Sequence, residues 1–310
     1  MSMQSTKAQH YVPRLYLKQW ADEDEKIWCL DRKSNRTINL KIMRVAQEHF
    51  FYEMNCLSDD DIAIIENWFA KNGNDLIRST NKSIISTFKM FNDCLKLFDK
   101  IGAKKQKEFL EKNFVEKMFG TYEGEYATLI KKILDDTIPD WNEDNKMTFL
   151  LCLNLQYFRT KNISENILDN ASKVNVPKQY GGLVERIMNP IRWLMANTVT
   201  CNMLEKQKFI FIENKTNLNF VTTDQPVINV YSILDKKSSE MSREELELYC
   251  PFSPQKAVLV SFRDCYTDMS SISASEKEVK IYNDILVKCS NRFVFSKDKD
   301  GLSPWLEENQ

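Results

Sequence analysis

Apolar positions along the chain change period twice, and those changes divide it into three stretches. Near the N-terminus the apolar runs are short. Lys26-Ile27-Trp28-Cys29-Leu30 and Thr37-Ile38-Asn39-Leu40 flank the polar segment Asp31 to Arg36, which predicts a β-hairpin. From Ser58 the period becomes helical: Ser58 with Asp61 three residues on reads as a capping box, and Ile62, Ile65 and Phe69 follow at helical spacing. The spacing continues, with breaks, through Leu76, Ile84, Ile85, Phe88 and Phe91 to Phe98, and resumes in Phe109, Phe114 and Met118. Met147 to Phe158 is almost continuously apolar, which predicts a helix buried on most sides, interrupted by Asn154, Gln156 and the following Arg159. Gln179 to Gly182 reads as a loop, and Val184 to Leu204 as a helix kinked or broken at Pro190.

The third stretch returns to β-branched and aromatic runs. Phe209–Ile212 and Asn219–Thr222, joined by Glu213 to Leu218, read as a second hairpin. Lys256 to Phe262 reads as a strand, Ser275 with Glu278 starts a further helix through Val287, and Arg292 to Ser296 closes as a strand. Strands at both ends with helices between them predict an α+β fold. It is expected to have a large helical middle and a small, mainly antiparallel sheet built from the N-terminal hairpin and the C-terminal strands. One interlocked domain over 1–310 is expected, with a motif and hairpin in 1–57, a helical lobe in 58–205 and a strand-rich part in 206–310.

Composition narrows the function classes. The 43 basic and 44 acidic residues give net −1, so no global field draws nucleic acid, and a DNA partner would need a local basic patch. Lys104-Lys105-Lys107 and Lys206-Lys208 are the candidates, though such runs are usually solvated faces. No apolar run approaches the ~20 residues of a membrane span. The eight cysteines lack metal-ligand spacing, which with the polar N-terminus makes a cytoplasmic location the expectation. Glycine-rich phosphate loops, nucleophile elbows and the HExxH pattern are all missing, and neither a metal nor a cofactor is expected. The residues leave the oligomeric state open.

Two polar blocks carry the candidate chemistry. The first, Gln9-His10-Tyr11-Val12-Pro13-Arg14-Leu15-Tyr16-Leu17-Lys18-Gln19-Trp20, holds one of the two histidines. His10 could serve as an acid or base, or bridge buried carbonyls. Arg14 could hold a phosphate, or pair with Asp224 or Glu66. Tyr11, Tyr16 and Trp20 could stack a base, or be core. The second block is Phe220-Val221-Thr222-Thr223-Asp224-Gln225-Pro226-Val227, which ends an apolar strand on a carboxylate. Asp224 could orient water or face a developing cation, or simply collect backbone donors in a turn. Glu213-Asn214-Lys215 mimics the ExK of metal-dependent nucleases, without a clear aspartate on a preceding strand.

These blocks also resemble a known family. His10-Tyr11-Val12-Pro13-Arg14 with Tyr16, Leu17 and Trp20, and Gln156 followed by Arg159-Thr160, resemble signatures of the domain-of-unknown-function family 4238. The Phe220–Val227 run is similar to its Thr-Ser-Asp-Asn-Pro-Val block, with Thr223 for Ser and Gln225 for Asn. Pro251-Phe252-Ser253-Pro254 is similar to its Pro-Leu-Ser-Pro turn, and Asn283 with Ser290–Ser296 to its C-terminal Asn and strand. The resemblance covers most of the chain and implies a shared fold and site, but no reaction.

The expectation is a metal-independent hydrolase of N-glycosidic bonds in nucleic acid, a DNA glycosylase-like enzyme suited to defence against foreign DNA. Asp224 and His10 are the catalytic candidates. Arg14, Tyr11, Gln156, Arg159, Thr223, Gln225 and Asn283 are the substrate-binding ones, with phosphate held by arginine and base edges read by the amides. The alternatives are a metal-dependent nuclease using Asp224, Glu213 and Lys215, and a non-catalytic binding module whose polar blocks brace the two ends of the chain. The N-terminal block is expected to dock on the C-terminal sheet, with His10 or Arg14 near Asp224.

Overall fold

The computed structural model of the chain describes residues 7–137, 141–173, 182–231 and 246–306. The expected loop at Gln179 to Gly181 lies outside them. In chain order, the first elements are β1 (Ala8–His10), α1 (Arg14–Leu17), β2 (Lys26–Asp31), β3 (Arg36–Lys41) and β4 (Gln47–His49). The helical middle comprises α2 (Asp59–Ile65), α3 (Asp75–Lys100), α4 (Lys104–Leu134), α5 (Glu143–Phe158), α6 (Lys161–Lys173) and α7 (Leu183–Met203). Then come β5 (Lys208–Asn214), β6 (Thr222–Thr223), β7 (Ile228–Asn229), β8 (Leu248–Pro251), β9 (Lys256–Ser261), β10 (Ser270–Ala274), α8 (Glu276–Cys289) and β11 (Phe293–Ser296). The fold is α+β with a helical middle.

Helix starts follow local chemistry. Ser58 with Asp61 and Ser275 with Glu278 close reciprocal capping boxes on α2 and α8. Asn74 and Asn142 each accept a backbone N–H at the starts of α3 and α5. The helix α7 runs on through Pro190 rather than breaking there. The apolar window forms α5, buried from Phe149 to Gln156.

The N-terminal hairpin joins the C-terminal strands as expected. A four-stranded antiparallel sheet runs β3-β2-β11-β6, with Leu30 opposite Val294 and Val294 opposite Thr223. A second sheet runs β10-β5-β9-β8-β7, antiparallel except for the parallel β10–β5 pair, and β1 and β4 form a short ribbon. The hairpin expected over residues 209–222 does not form. Both edges of β5 are already occupied, one by β9 and one by β10, so the following segment crosses to the other sheet as β6. Asn214 closes the turn between them, donating to the Leu218 and Pro254 carbonyls at 2.6 and 3.2 Å.

One apolar core ties the N-terminal block to α5 and the strands. It includes Val12, Leu17 and Trp20 together with Phe149, Leu153, Phe209, Phe252 and Phe295. Each large side chain buried in this way contributes ~1.5–3 kcal/mol.

Candidate functional site

Asp224 follows β6 and is 2% exposed. Its Oδ1 accepts the Asn291 N–H at 2.9 Å, and its Oδ2 accepts those of Arg292 and Phe293 at 2.7 and 2.9 Å. Its own N–H donates to the Phe293 carbonyl at 3.1 Å. Burial pushes the carboxyl up to about 6, against the three N–H donors, which favour the charged form. In this arrangement the carboxylate clamps the entry of β11 to the end of β6, the turn role that stood beside the catalytic one in the sequence.

The flanking residues behave alike. The Thr223 hydroxyl accepts from the Gln225 N–H at 3.0 Å and donates to the Gln225 carbonyl at 2.9 Å. The Gln225 amide donates to the Val227 carbonyl at 2.7 Å, and its Oε1 accepts from the Thr160 hydroxyl. Asn283 on α8 donates to the Asn219 carbonyl at 2.9 Å and accepts the Val221 N–H at 3.0 Å. Thr223, Gln225 and Asn283, the expected readers of substrate, hold main chain and neighbouring side chains here.

The N-terminal block docks onto the C-terminal strands. Tyr16 donates to the Pro251 carbonyl at 2.7 Å and meets the Thr222 hydroxyl at 2.8 Å, and the Trp20 indole donates to the Phe220 carbonyl at 2.9 Å. Tyr11 is the residue of this block that reaches the field of Asp224. Its phenol is held well above the usual range by burial first and by the Asp224 charge second. His10 lies in the field of a different group, Glu123 and Arg159, because Gln9 of β1 donates to the Lys112 carbonyl of α4 at 2.6 Å and the Tyr11 carbonyl accepts from Gln156 of α5. Arg14 is exposed and makes no ion pair among the described residues. Burial, followed by the Arg14 charge, holds the His10 imidazole below its ordinary value, against a hydrogen bond with the Ile42 backbone and the charge of Glu123.

That second group is the candidate site. Gln156 on α5 donates to the Tyr11 carbonyl at 3.0 Å, and its Oε1 accepts from Arg159 Nε at 3.0 Å. Arg159, 2% exposed, pairs through Nη1 with Glu123 of α4 at 2.6 Å, and its guanidinium lies 4.9 Å over the Phe119 ring. Glu123 borders a cavity of about 410 Å³ whose walls include Pro13, Leu15, Tyr16, Tyr126 and Phe252. The buried Tyr126 hydroxyl has no hydrogen-bond partner among the described residues, and neither does His10 Nε2. Glu116, two turns before Glu123 on the same helix, is pushed up to about 7 by burial, with the Glu123 charge adding and Arg159 and Arg14 opposing. Glu116, Glu123 and Tyr126 were missed in the sequence because α4 carries no motif. The one available hint was that a buried arginine at Arg159 requires an acid.

Glu116 yields a signed expectation. Its folded value, about 7, lies above the ordinary 4.5, so its contribution to stability is complete below about 4.5 and lost as the pH rises through about 7. The urea midpoint of the wild-type chain should therefore fall across that window relative to Glu116→Gln. Parallel profiles would show an ordinary carboxyl.

The nuclease constellation is not assembled around Asp224. Glu213 pairs with Lys215 at 2.9 Å on the surface, with Lys215 74% exposed, while Asp224 is clamped in the other sheet. No group of three metal-ligating side chains occurs among the described residues. Of the basic runs, Lys107 pairs with Asp99 at 2.7 Å and Lys208 donates to the Arg263 carbonyl at 2.9 Å. No described helix is long and apolar enough to cross a membrane.

Fold and site together define an α+β protein in which the N-terminal motif closes one wall of a cavity beside a carboxylate paired with a buried arginine. The chain belongs to the family described as "Protein of unknown function (DUF4238)", whose model matches residues 8–300. That span takes in the N-terminal block, the helical middle and the strands through β11. No curated protein and no solved structure matches the chain.

Proposed function

We propose that the chain is a hydrolase of N-glycosidic bonds that takes a nucleoside unit into the cavity between α1 and α4, with Glu123 as its working carboxylate. The observation that carries this reading is the pairing of Glu123 with the buried Arg159 at the wall of that cavity. A volume of about 410 Å³ suits one nucleoside-sized group, and Tyr16, Tyr126 and Phe252 offer aromatic walls for a base. In DNA the unit would enter as an extruded nucleotide. Arg159 holds Glu123 in one orientation, a requirement for stabilising charge that appears only in the transition state. The carbon–nitrogen bond breaks with its electrons going to the base, and the carboxylate faces the positive charge left on the sugar. Water then bonds to that carbon, and its proton passes through Glu123 to the departing base.

A second reading, a binding module without turnover, is favoured by the use of Gln156, Asp224 and Asn283 as backbone braces. The two are separated by incubating the full chain, with chelator present, with free nucleosides and with unmodified and modified DNA. Release of free base, with abasic sites that break only after alkali, is expected. Glu123→Gln should remain folded and bind ligand while turning over ~10²–10³ more slowly. A folded wild-type chain that frees no base from any of them leaves the binding module. Strand breaks that appear only when Mg²⁺ replaces the chelator return the nuclease.

A further inference from the structure

The helical middle buries a second arginine, one that no acid pairs among the described residues. Arg192 of α7 is 4% exposed. Its Nη1 donates to the Asn189 side-chain oxygen and its Nη2 to the Ser164 hydroxyl, both at 2.8 Å and both to neutral groups. The guanidinium lies 4.7 Å from the centre of the Phe51 ring and 5.7 Å from that of Tyr52. No carboxylate comes within ion-pair distance of it among the described residues, and its Nε has no hydrogen-bond partner there.

Tyr52 connects this group to the candidate site. Its ring centre is 4.8 Å from that of Phe119, over which Arg159 lies, and its hydroxyl donates to the His10 carbonyl at 3.2 Å. The two guanidiniums are within electrostatic reach of each other, and each feels Tyr52. Arg159 also has a buried donor, Nη2, without a partner among the described residues. A desolvated guanidinium is tolerated when a charge and hydrogen bonds compensate it. Among the described residues the two guanidiniums have one ion-paired carboxylate, Glu123, and the nearby Glu116 is pushed toward its neutral form by burial.

We propose that Arg192 and Arg159, flanking Tyr52 with His10 beside them, form a binding site for a phosphate-type oxyanion. The unfilled donors come from two elements, the end of α5 and α7. A tetrahedral anion presents oxygens to both of them, whereas a planar carboxylate suits a single fork. The anion supplies the missing negative charge and the missing acceptors together. The site is one of binding and holds whether or not the neighbouring cavity is catalytic.

The test uses the full chain and inorganic phosphate, followed by thermal melting and by ³¹P line broadening, with sodium chloride and acetate at matched ionic strength as comparators. Phosphate is expected to raise the melting temperature of the wild-type chain beyond either comparator, and Arg192→Met to abolish both effects. If Arg192→Met does not fold, Arg192→Lys keeps the charge and loses the forked donor. It should bind phosphate about tenfold more weakly. A wild-type chain that responds to phosphate no more than to chloride overturns the site, as does an Arg192→Lys protein that binds like wild type. An equal response to acetate overturns the tetrahedral assignment. None of these readouts depends on base release, so the site and the proposed hydrolase stand or fall separately.

Discussion

Asp224→Ala is expected to lower the stability of the fold by about 3–5 kcal/mol, enough to consume much of the margin of an ordinary domain. The substitution strands the backbone N–H groups of Asn291, Arg292 and Phe293, which the carboxylate now receives at 2.7 to 2.9 Å. Asp224 is buried, so water does not replace the lost acceptor without opening the junction of β6 and β11. Asn at this position keeps one carbonyl oxygen but turns an NH₂ toward an N–H donor, so about half of the loss is expected for Asp224→Asn. Urea unfolding of both variants against wild type measures the effect. A wild-type midpoint for Asp224→Ala, combined with loss of any activity found, would make Asp224 a reacting group and not a brace.

The second large effect concerns the N-terminal block. Trp20→Ala should cost about 3–5 kcal/mol, the range for removing a large buried aromatic side chain. Trp20 is fully buried, tilts against Tyr16 with ring centres 5.1 Å apart, and holds the Phe220 carbonyl at 2.9 Å, which the substitution leaves without its indole donor. Removing everything up to residue 20 takes away Val12, Tyr16 and Leu17 as well, and with them the hydroxyl that joins Thr222 to Pro251. That truncation is expected not to fold, as read by circular dichroism and by the loss of a cooperative melt. A stable truncation with unchanged ligand binding would make the segment an accessory arm.

How far the candidate site could be read in the sequence depends on how local each feature is. The blocks themselves were legible, because a histidine, tyrosines and a tryptophan crowded into twelve residues stand out from any periodic pattern. Their employment was not legible. Asp224 looks the same in one dimension whether it meets water or three N–H groups. The choice was made by Asn291, Arg292 and Phe293, which lie 67 to 69 residues away. Glu123 carried no signal at all. Its place in α4 fits any solvated helical carboxylate, and Arg159, 36 residues on, makes it a candidate.

The same division runs through the fold. The capping boxes at Ser58 and Ser275, the buried helix α5 and the β2–β3 hairpin follow from interactions between residues a few positions apart, so the order of side chains was sufficient to determine them. The crossing from β5 to β6 followed from a competition for strand edges. Two partners, β9 and β10, had already taken the hydrogen bonds that a hairpin would have needed. Tertiary structure also decided which polar groups lost water. A buried guanidinium or carboxylate needs a partner, and which one it finds depends on the helices and strands that pack around it.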